Sequence, residues 1–195
     1  LMIDTLIIED VDEVKKVEYL KDIRSQIENI NFLIIALLKL SRFDANVVVF
    51  EKNKIIVKNL IMDVLKNVDI LRELNSVSIH TKGKSDVSFI GDYKWECEAI
   101  TNIVKNAIEY AKDEKNVYII YEDKQVYNEI KIINDGTITY EDKENIFKRF
   151  YKKNNNDNNF GIGLSLAKEI IEKDKGTIRV ECKNNKTIFI LKYYK

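Results

Sequence analysis

The chain has 195 residues, 45% of them hydrophobic and 33% charged, with 32 basic and 32 acidic side chains that cancel to a formal net charge of zero. That length allows one domain with an appendage, the apolar share suffices for a core, and the balanced charge excludes the electrostatic footprint of a nucleic-acid-binding protein. No apolar run reaches the ~18 residues of a membrane span, and no secretory signal pattern opens the sequence.

Leu1 is not an initiator Met and falls inside an apolar periodic run, so the chain reads as a fragment of a longer polypeptide, itself cytoplasmic. Residues 1–44 have the pattern of a helical pair. In the second segment Leu20, Ile23, Ile27, Ile30, Ile34, Leu37 and Ser41 follow a 3,4,3,4 spacing. This is an a/d seam over about three heptads. Ile3, Ile7, Asp10, Val14 and Val17 repeat it more weakly. Such a hairpin cannot bury both helices alone, so it predicts a homodimeric four-helix bundle.

After Ser41-Arg42-Phe43-Asp44 the pattern changes, and residues 45–195 read as a second domain. Val47–Phe50 is short and rich in valine, a predicted strand, and Lys54–Leu74 has helical period. Ser76–His80 and Asp86–Ile90 alternate, with a turn at Lys82-Gly83-Lys84 between them. Asp92 is a good N-cap for the helix over 95–111. Asn116–Glu122 and Asn128–Ile133 predict two strands joined by a turn, and Asp142–Tyr151 a short helix. Lys152–Asn159 is a polar loop of low complexity. Ile162–Lys173 predicts a helix ending at Gly176 as its C′ residue. Thr177–Cys182 and Lys186–Leu191 close the chain as a hairpin on Asn184-Asn185. Helices and paired strands come in blocks, which predicts an α+β fold: a mostly antiparallel sheet with helices on one face. Cys97 and Cys182 are far apart, outside any CxxC pattern, and read as reduced thiols. The one histidine, His80, has no partners in its strand-like surroundings and reads as structural.

Three stretches carry chemistry. In 95–111, WECEAITNIVKNAIEYA, Asn102 and Asn106 lie four apart and share one helix face. Asparagine competes for local backbone bonds and is a mediocre helix former. Two of them in mid-helix, with Tyr110 one turn on, suggest a polar face aimed at a ligand. Phe160-Gly161-Ile162-Gly163-Leu164 leads straight into a helix, where glycines allow an anion close to the backbone and the helix end offers N–H groups. It matches neither a Walker loop nor a dinucleotide fingerprint. Asn134-Asp135-Gly136 follows a strand, and Phe147 and Phe150 bracket Lys148 and Arg149.

In this order the pieces resemble the sensor histidine kinases. WECEAITNIVKNAIEYA resembles the N box, INDG a shortened G1 box, IFKRFYK the F box and FGIGLSLAKEII the G2 box, together covering about residues 45–195. Residues 1–44 resemble the dimerisation and histidine-phosphotransfer helices, with the phosphoacceptor His lying just before Leu1. The resemblance implies a two-layer α/β sandwich of the Bergerat ATP-binding type after an α-helical hairpin, with ATP and Mg²⁺ as cofactors. Asn106 would coordinate Mg²⁺ with Asn102 beside it, and Tyr110 would pack on adenine. Asn134, Asp135 and Gly136 would read the base. Gly161, Ile162, Gly163 and Leu164 would cradle phosphates under the 152–159 lid. Arg149 and Lys152 would neutralise charge on the γ-phosphoryl group. The resemblance also implies a membrane-anchored parent that phosphorylates its own His and then an aspartate on a response-regulator receiver domain. The fragment itself lacks the phosphoacceptor and contacts neither membrane nor nucleic acid.

Three departures stand out. The G1 box is one residue short, with Asn134 where the adenine-reading Asp usually lies and Asp135 as a rival. Glu109 stands where the family often has Lys, which predicts weaker nucleotide binding. The phosphoacceptor is missing. Two alternatives therefore stay open: a degenerate dimerising scaffold of the same fold that binds no nucleotide, and an anti-sigma-type serine kinase of the same ATPase superfamily.

Overall fold

The computed structural model describes residues 12–112, 114–152 and 160–195. Ile3, Ile7 and Asp10 of the predicted first helix, and residues 153–159 of the predicted lid, lie outside the described residues. The chain divides into two compact units, Leu1–Val47 and Val48–Lys195.

In the first unit, α1 (Glu13–Asp44) runs for 32 residues. Val14 and Val17, assigned by their spacing to the first helix, belong to α1 instead. The helix ends where Asn46 turns left-handed (φ 54°), with Asn46 N–H donating to Phe43 O and Val47 N–H to Arg42 O. Asparagine tolerates this conformation better than other residues with a Cβ, which makes it a good terminator. The seam residues Leu20, Ile27, Ile30, Ile34 and Leu37 are exposed along α1.

The second unit runs β1 (Asn53–Ile56), α2 (Val57–Leu74), β2 (Ser78–Gly83), β3 (Ser88–Gly91), α3 (Tyr93–Glu109), β4 (Asn116–Asp123), β5 (Tyr127–Asp135), α4 (Tyr140–Asn145), α5 (Gly163–Lys173), β6 (Gly176–Lys183) and β7 (Lys186–Tyr194). The main sheet has the order β2-β4-β5-β7-β6. Only its β2–β4 pair is parallel. Helices α2, α3 and α5 cover one face, with α3 in the middle. Its stripe of Ala99, Ile100, Ile103, Val104, Ala107 and Ile108 is buried, facing Val117, Ile119, Ile130, Ile132 and Phe189 from the sheet's inner face. Period-3.6 and period-2 patterns thus meet in one core.

Four local expectations are corrected. Val47–Phe50 is not a strand: the strand is β1, taken from the start of the predicted 54–74 helix. Ile55 pairs with Phe89 and is buried, whereas Val47 and Val49 are exposed. Burial across a partner strand, absent at 47–50, selects which run becomes β. The stretches 76–80 and 86–90 do not pair with each other across Lys82–Lys84. β2 pairs with β4 and β3 with β1. The helix predicted over 142–151 is only α4. A capping box starts it, Thr139 Oγ1 accepting from Asp142 N–H and Asp142 Oδ2 from Thr139 N–H. Phe150 is left-handed (φ 63°) and cannot continue it. At the end of α5 the left-handed residue is Lys175 (φ 62°), not Gly176. Gly176 opens β6, where a Cβ would stand 2.9 Å from Ile171 Cγ2. The closing hairpin turns on Asn184 and Asn185, both left-handed (φ 51° and 56°), as a two-residue turn of the primed type requires.

Candidate functional site

Asp92 caps α3 through Oδ1, which accepts from Lys94 N–H (3.0 Å) and Trp95 N–H (3.2 Å). This fixes the helix register, and one edge of the buried stripe then carries Asn102 and Asn106, both half-buried. Tyr110 follows as the C-cap residue. A cavity opens at this end of α3, walled by Asn106, Tyr110, Asn134, Ile138 and Ile146, with Tyr151, Lys152 and Gly161 at its rim.

The glycine turn lies beside the asparagines. A Cβ placed on Gly163 would stand 3.6 Å from Asn102 Cγ, so the first residue of α5 sits against the polar edge of α3. The first-turn N–H groups of α5 have no carbonyl partner within the helix, and they bring a partial positive charge to this edge. Gly161 has a stricter role. It is left-handed (φ +67°), and a Cβ there would lie 2.4 Å from Tyr151 O. Its carbonyl accepts from Phe150 N–H (2.9 Å). Gly161 thus packs directly on the backbone of Phe150 and Tyr151, while Gly163 gives room next to Asn102. Ile162 and Leu164 are buried core side chains, leaving only their backbone for any ligand.

Asn134 and Asp135 point to different tasks. Asn134 is 3% exposed and lines the cavity. Its amide nitrogen donates to Asp135 O (2.9 Å) and Tyr110 O (3.4 Å). With its donors spent on the backbone, it offers a ligand only an acceptor, Oδ1. Asp135 does not line the cavity. Its Oδ2 accepts from Glu114 N–H (3.0 Å) and its Oδ1 from Asn116 N–H (3.3 Å). Asp135 fastens the start of β4. Gly136 (φ +103°) donates its N–H to Asn185 O. Its carbonyl accepts from Thr187 Oγ1 (2.8 Å), and Thr187 lines the cavity.

The two expected cations separate. Lys152 lines the cavity, its Nζ 5.5 Å from the centroid of the Phe160 ring. Arg149 is held outside the cavity wall by Glu169 of α5, with Nε 3.1 Å from Oε1. The pair is part exposed and water-screened. Glu109 is exposed at the end of α3 and is not a cavity residue. His80 lies in β2, its Nε2 3.1 Å from Asn116 Oδ1 and its ring stacked on Tyr118.

Five wall residues went unassigned in the sequence: Ile138, Asp142, Ile146, Tyr151 and Thr187. Asp142 is the third helical residue of α4 and half of its capping box, and its Oδ1 accepts from Tyr151 O–H (2.7 Å), which fixes that ring. The same bond raises the Tyr151 hydroxyl above its ordinary pKa. Thr187 had a readable signal, since it shares the inward register of β7 with Phe189 and Leu191.

Among the described residues no group of three His, Cys, Asp or Glu side chains can hold a metal ion. What the site offers is the two amides of Asn102 and Asn106. These are neutral, hard oxygen donors, which fit a magnesium ion that keeps waters and arrives with phosphates. They do not fit an ion bound by the protein alone.

The family model described as histidine kinase-, DNA gyrase B- and HSP90-like ATPase matches residues 91–194. The heme sensor protein HssS of Staphylococcus aureus (strain Newman) is 30% identical over 169 residues, 86% of this chain and 37% of the relative. The chain thus spans little more than a third of the length of the curated relatives it matches. The Acinetobacter baumannii histidine kinase AdeS superposes with a TM-score of 0.81 over 99% of this chain and 91% of that one, at 22% identity, a likeness of fold. The catalytic domain of histidine kinase ThkA, in a nucleotide-free form, superposes with a TM-score of 0.65 over 74% of this chain and 96% of that one, at 26% identity. ThkA in complex with the response regulator TrrA gives 0.76 over 96% of this chain and 53% of that one, at 23% identity.

Proposed function

The chain belongs to the histidine kinase-, DNA gyrase B- and HSP90-like ATPase family, and from that premise we propose that it is the ATP-binding core of a sensor histidine kinase. The observation that carries this reading is one cavity lined by Asn106, Gly161 and the fixed acceptor of Asn134, with Asn102 and Gly163 in contact just outside its lining. The adenine amino group donates to Asn134 Oδ1, with Tyr110, Ile138 and Ile146 as the apolar walls. The phosphates lie towards the start of α5, and Asn106 and Asn102 hold the magnesium ion that accompanies them.

Phosphoryl transfer asks for positioning and charge stabilisation, with little covalent chemistry from the protein. Magnesium bound with the phosphates supplies the counter-charge. Lys152 adds a cation at the cavity rim. Arg149 joins it only by exchanging Glu169 for phosphate oxygens. In the longer protein the γ-phosphoryl group passes to a histidine outside this chain and then to an aspartate of a response regulator. The complex of ThkA with TrrA supports such a partner for this fold. The exposed seam of α1 supports homodimerisation through this helix. No helix among the described residues is long and apolar enough to cross a membrane. The likeness to a sensor protein supports a membrane anchor in the longer parent.

One observation favours the scaffold alternative: Asn134 is neutral where a carboxylate is usual. Titration with a fluorescent ATP analogue, with and without Mg²⁺, separates the two. Saturable, magnesium-dependent binding is expected. No saturation at millimolar nucleotide would leave the scaffold reading in its place.

A further inference from the structure

A second group of ionisable side chains lies away from the cavity, at the opposite end of the α3/α5 pair. Glu96 of α3 is fully buried and Asp174, the C-cap of α5, is 7% exposed. Asp174 Oδ2 accepts from Asp92 N–H (2.9 Å). Asp92 Oδ2 accepts in turn from Glu51 N–H (2.9 Å). Lys52 Nζ stands 3.3 Å from Asp174 Oδ1. Tyr193 O–H of β7 donates to Glu96 Oε2, and its ring stacks on Phe89 with centroids 3.7 Å apart. Gly91 makes the approach feasible, since a Cβ there would lie 2.6 Å from Asp174 Oδ2. Phe50 stacks on Trp95 beside the cluster, centroids 6.0 Å apart and planes within 8°.

Two atoms in this group, Glu96 Oε1 and Asp174 Oδ1, are buried without a conventional hydrogen-bond partner among the described residues. Asp174 Oδ1 meets only the Lys52 ammonium, at 3.3 Å, and two buried carboxylates facing one cation are costly. A protonated Glu96 can donate to Asp174, so that one proton serves both carboxyls. Burial pushes the Glu96 carboxyl well above the carboxylate range. Tyr193 pulls the other way, and the negative charges of Asp174 and Asp92 raise it further. The charges that face the pair are then Asp174 itself, Asp92 at the start of α3 and Lys52 from the incoming segment, with Tyr193 neutral.

We propose that Glu96, Asp174 and Lys52 form a proton-dependent clasp that holds residues 50–52, where the chain runs into its second unit, against the adjoining ends of α3 and α5. With Glu96 protonated, the cluster carries two negative charges, on Asp174 and Asp92, and Lys52 lies against the first. Loss of the Glu96 proton to solvent puts a third negative charge among them, breaks the Glu96–Asp174 hydrogen bond and loosens the segment that Asp92 and Asp174 hold. The other end of α3 lines the cavity, so the clasp ties the incoming segment to the two helices that carry the Asn102–Gly163 contact. The clasp is a property of the unliganded chain and does not rest on nucleotide binding.

The sign of the pH effect follows. The unfolded chain ionises Glu96 above the ordinary glutamate range while the folded chain keeps it neutral. The stability contribution is therefore whole at low pH and is lost as pH rises towards the folded value. Glu96→Gln copies the neutral state, with an N–H for Asp174 and an oxygen for Tyr193. Urea unfolding of the 195-residue chain from about pH 5 to about pH 9 tests the clasp. The ratio of unfolding constants, wild type over Glu96→Gln, is expected to grow about tenfold per pH unit until the folded chain ionises. Hydrogen exchange of the Glu51 and Asp92 amides is expected to quicken about tenfold or more in Lys52→Met. A ratio that stays constant across the pH range overturns the titration of Glu96. Unchanged exchange in Lys52→Met overturns the hold on the segment. If Glu96→Gln fails to fold, Asp174→Asn, which gives an ionised Glu96 an amide donor, must flatten the wild-type slope, and a slope retained there counts against the clasp.

Discussion

Asn102 and Gly163 meet edge to edge: a Cβ on Gly163 would lie 3.6 Å from Asn102 Cγ and 3.7 Å from its Oδ1. Two sequence features 61 positions apart thereby become one surface, with an amide donor set on one side and a helix start on the other. An amide oxygen next to a helix start suits a metal-bound phosphate in principle, because cation and anion each meet a complementary partner.

Replacing Asn106 by Ala removes the amide at the cavity wall and little else. The loss of a bond to a charged group costs about 1.5–3 kcal/mol, or roughly tenfold to a hundredfold in magnesium-dependent nucleotide affinity. The side chain is half-buried and faces the cavity, so stability is expected to stay within ~0.5 kcal/mol of wild type. Parallel nucleotide titration and urea unfolding check this. A large stability loss without ligand would instead assign Asn106 to the fold.

Asn134 is expected to select the base. Its Oδ1 is an acceptor locked in place by two backbone acceptors of its amide, so it favours a base with an exocyclic amino group. ATP should bind more tightly than inosine triphosphate by the worth of about one hydrogen bond, ~1 kcal/mol. In Asn134→Leu that preference should vanish. Competition of the two nucleotides against a fluorescent analogue measures it, and a preference that survives the substitution would move base reading elsewhere.

Gly161→Ala forces a left-handed alanine against Tyr151 O, 2.4 Å from the new Cβ. The strain and the displaced segment together should cost about 1–3 kcal/mol in urea unfolding. Gly163→Ala meets nothing closer than 3.6 Å and should cost less than ~1 kcal/mol. A reversed order would mean that the two glycines have been assigned the wrong tasks.

The apolar row of α1 is expected to be an interface. Leu20, Ile27, Ile30, Ile34 and Leu37 are exposed in one chain at the spacing of a coiled-coil seam. Sedimentation at tens of micromolar should find a dimer for the wild type and a monomer for Ile30→Asp with Ile34→Asp. A monomeric wild type would rule out this helix as a sufficient dimer contact.

Much of this was legible because the informative residues carry their reasons locally. Asn102 and Asn106 break the apolar pattern of α3, Asp92 is a good cap, and Asn184-Asn185 suits only a tight turn. What stayed hidden depends on partners distant in sequence. Whether Val47–Phe50 or Asn53–Ile56 became a strand was decided by Phe89 across from Ile55. That Asn134 lines the cavity while Asp135 accepts from the amides of Glu114 and Asn116 could not be read from the sequence. The contact of Arg149 with Glu169 of α5 was equally hidden, because it joins residues 20 positions apart. Glu96 carried no signal in the sequence, and only the fold shows it buried beside Asp174 and Tyr193.

The most direct test is to follow the side-chain amide signals of Asn102, Asn106 and Asn134 and the backbone amide of Gly163 by NMR while Mg·ATP is added. These four groups are expected to shift together along one saturation curve, and removal of magnesium by a chelator should reverse the Asn102 and Asn106 shifts first. If all four stay unmoved while nucleotide saturates the protein, or if no saturation is reached, the cavity at the end of α3 is not a nucleotide site.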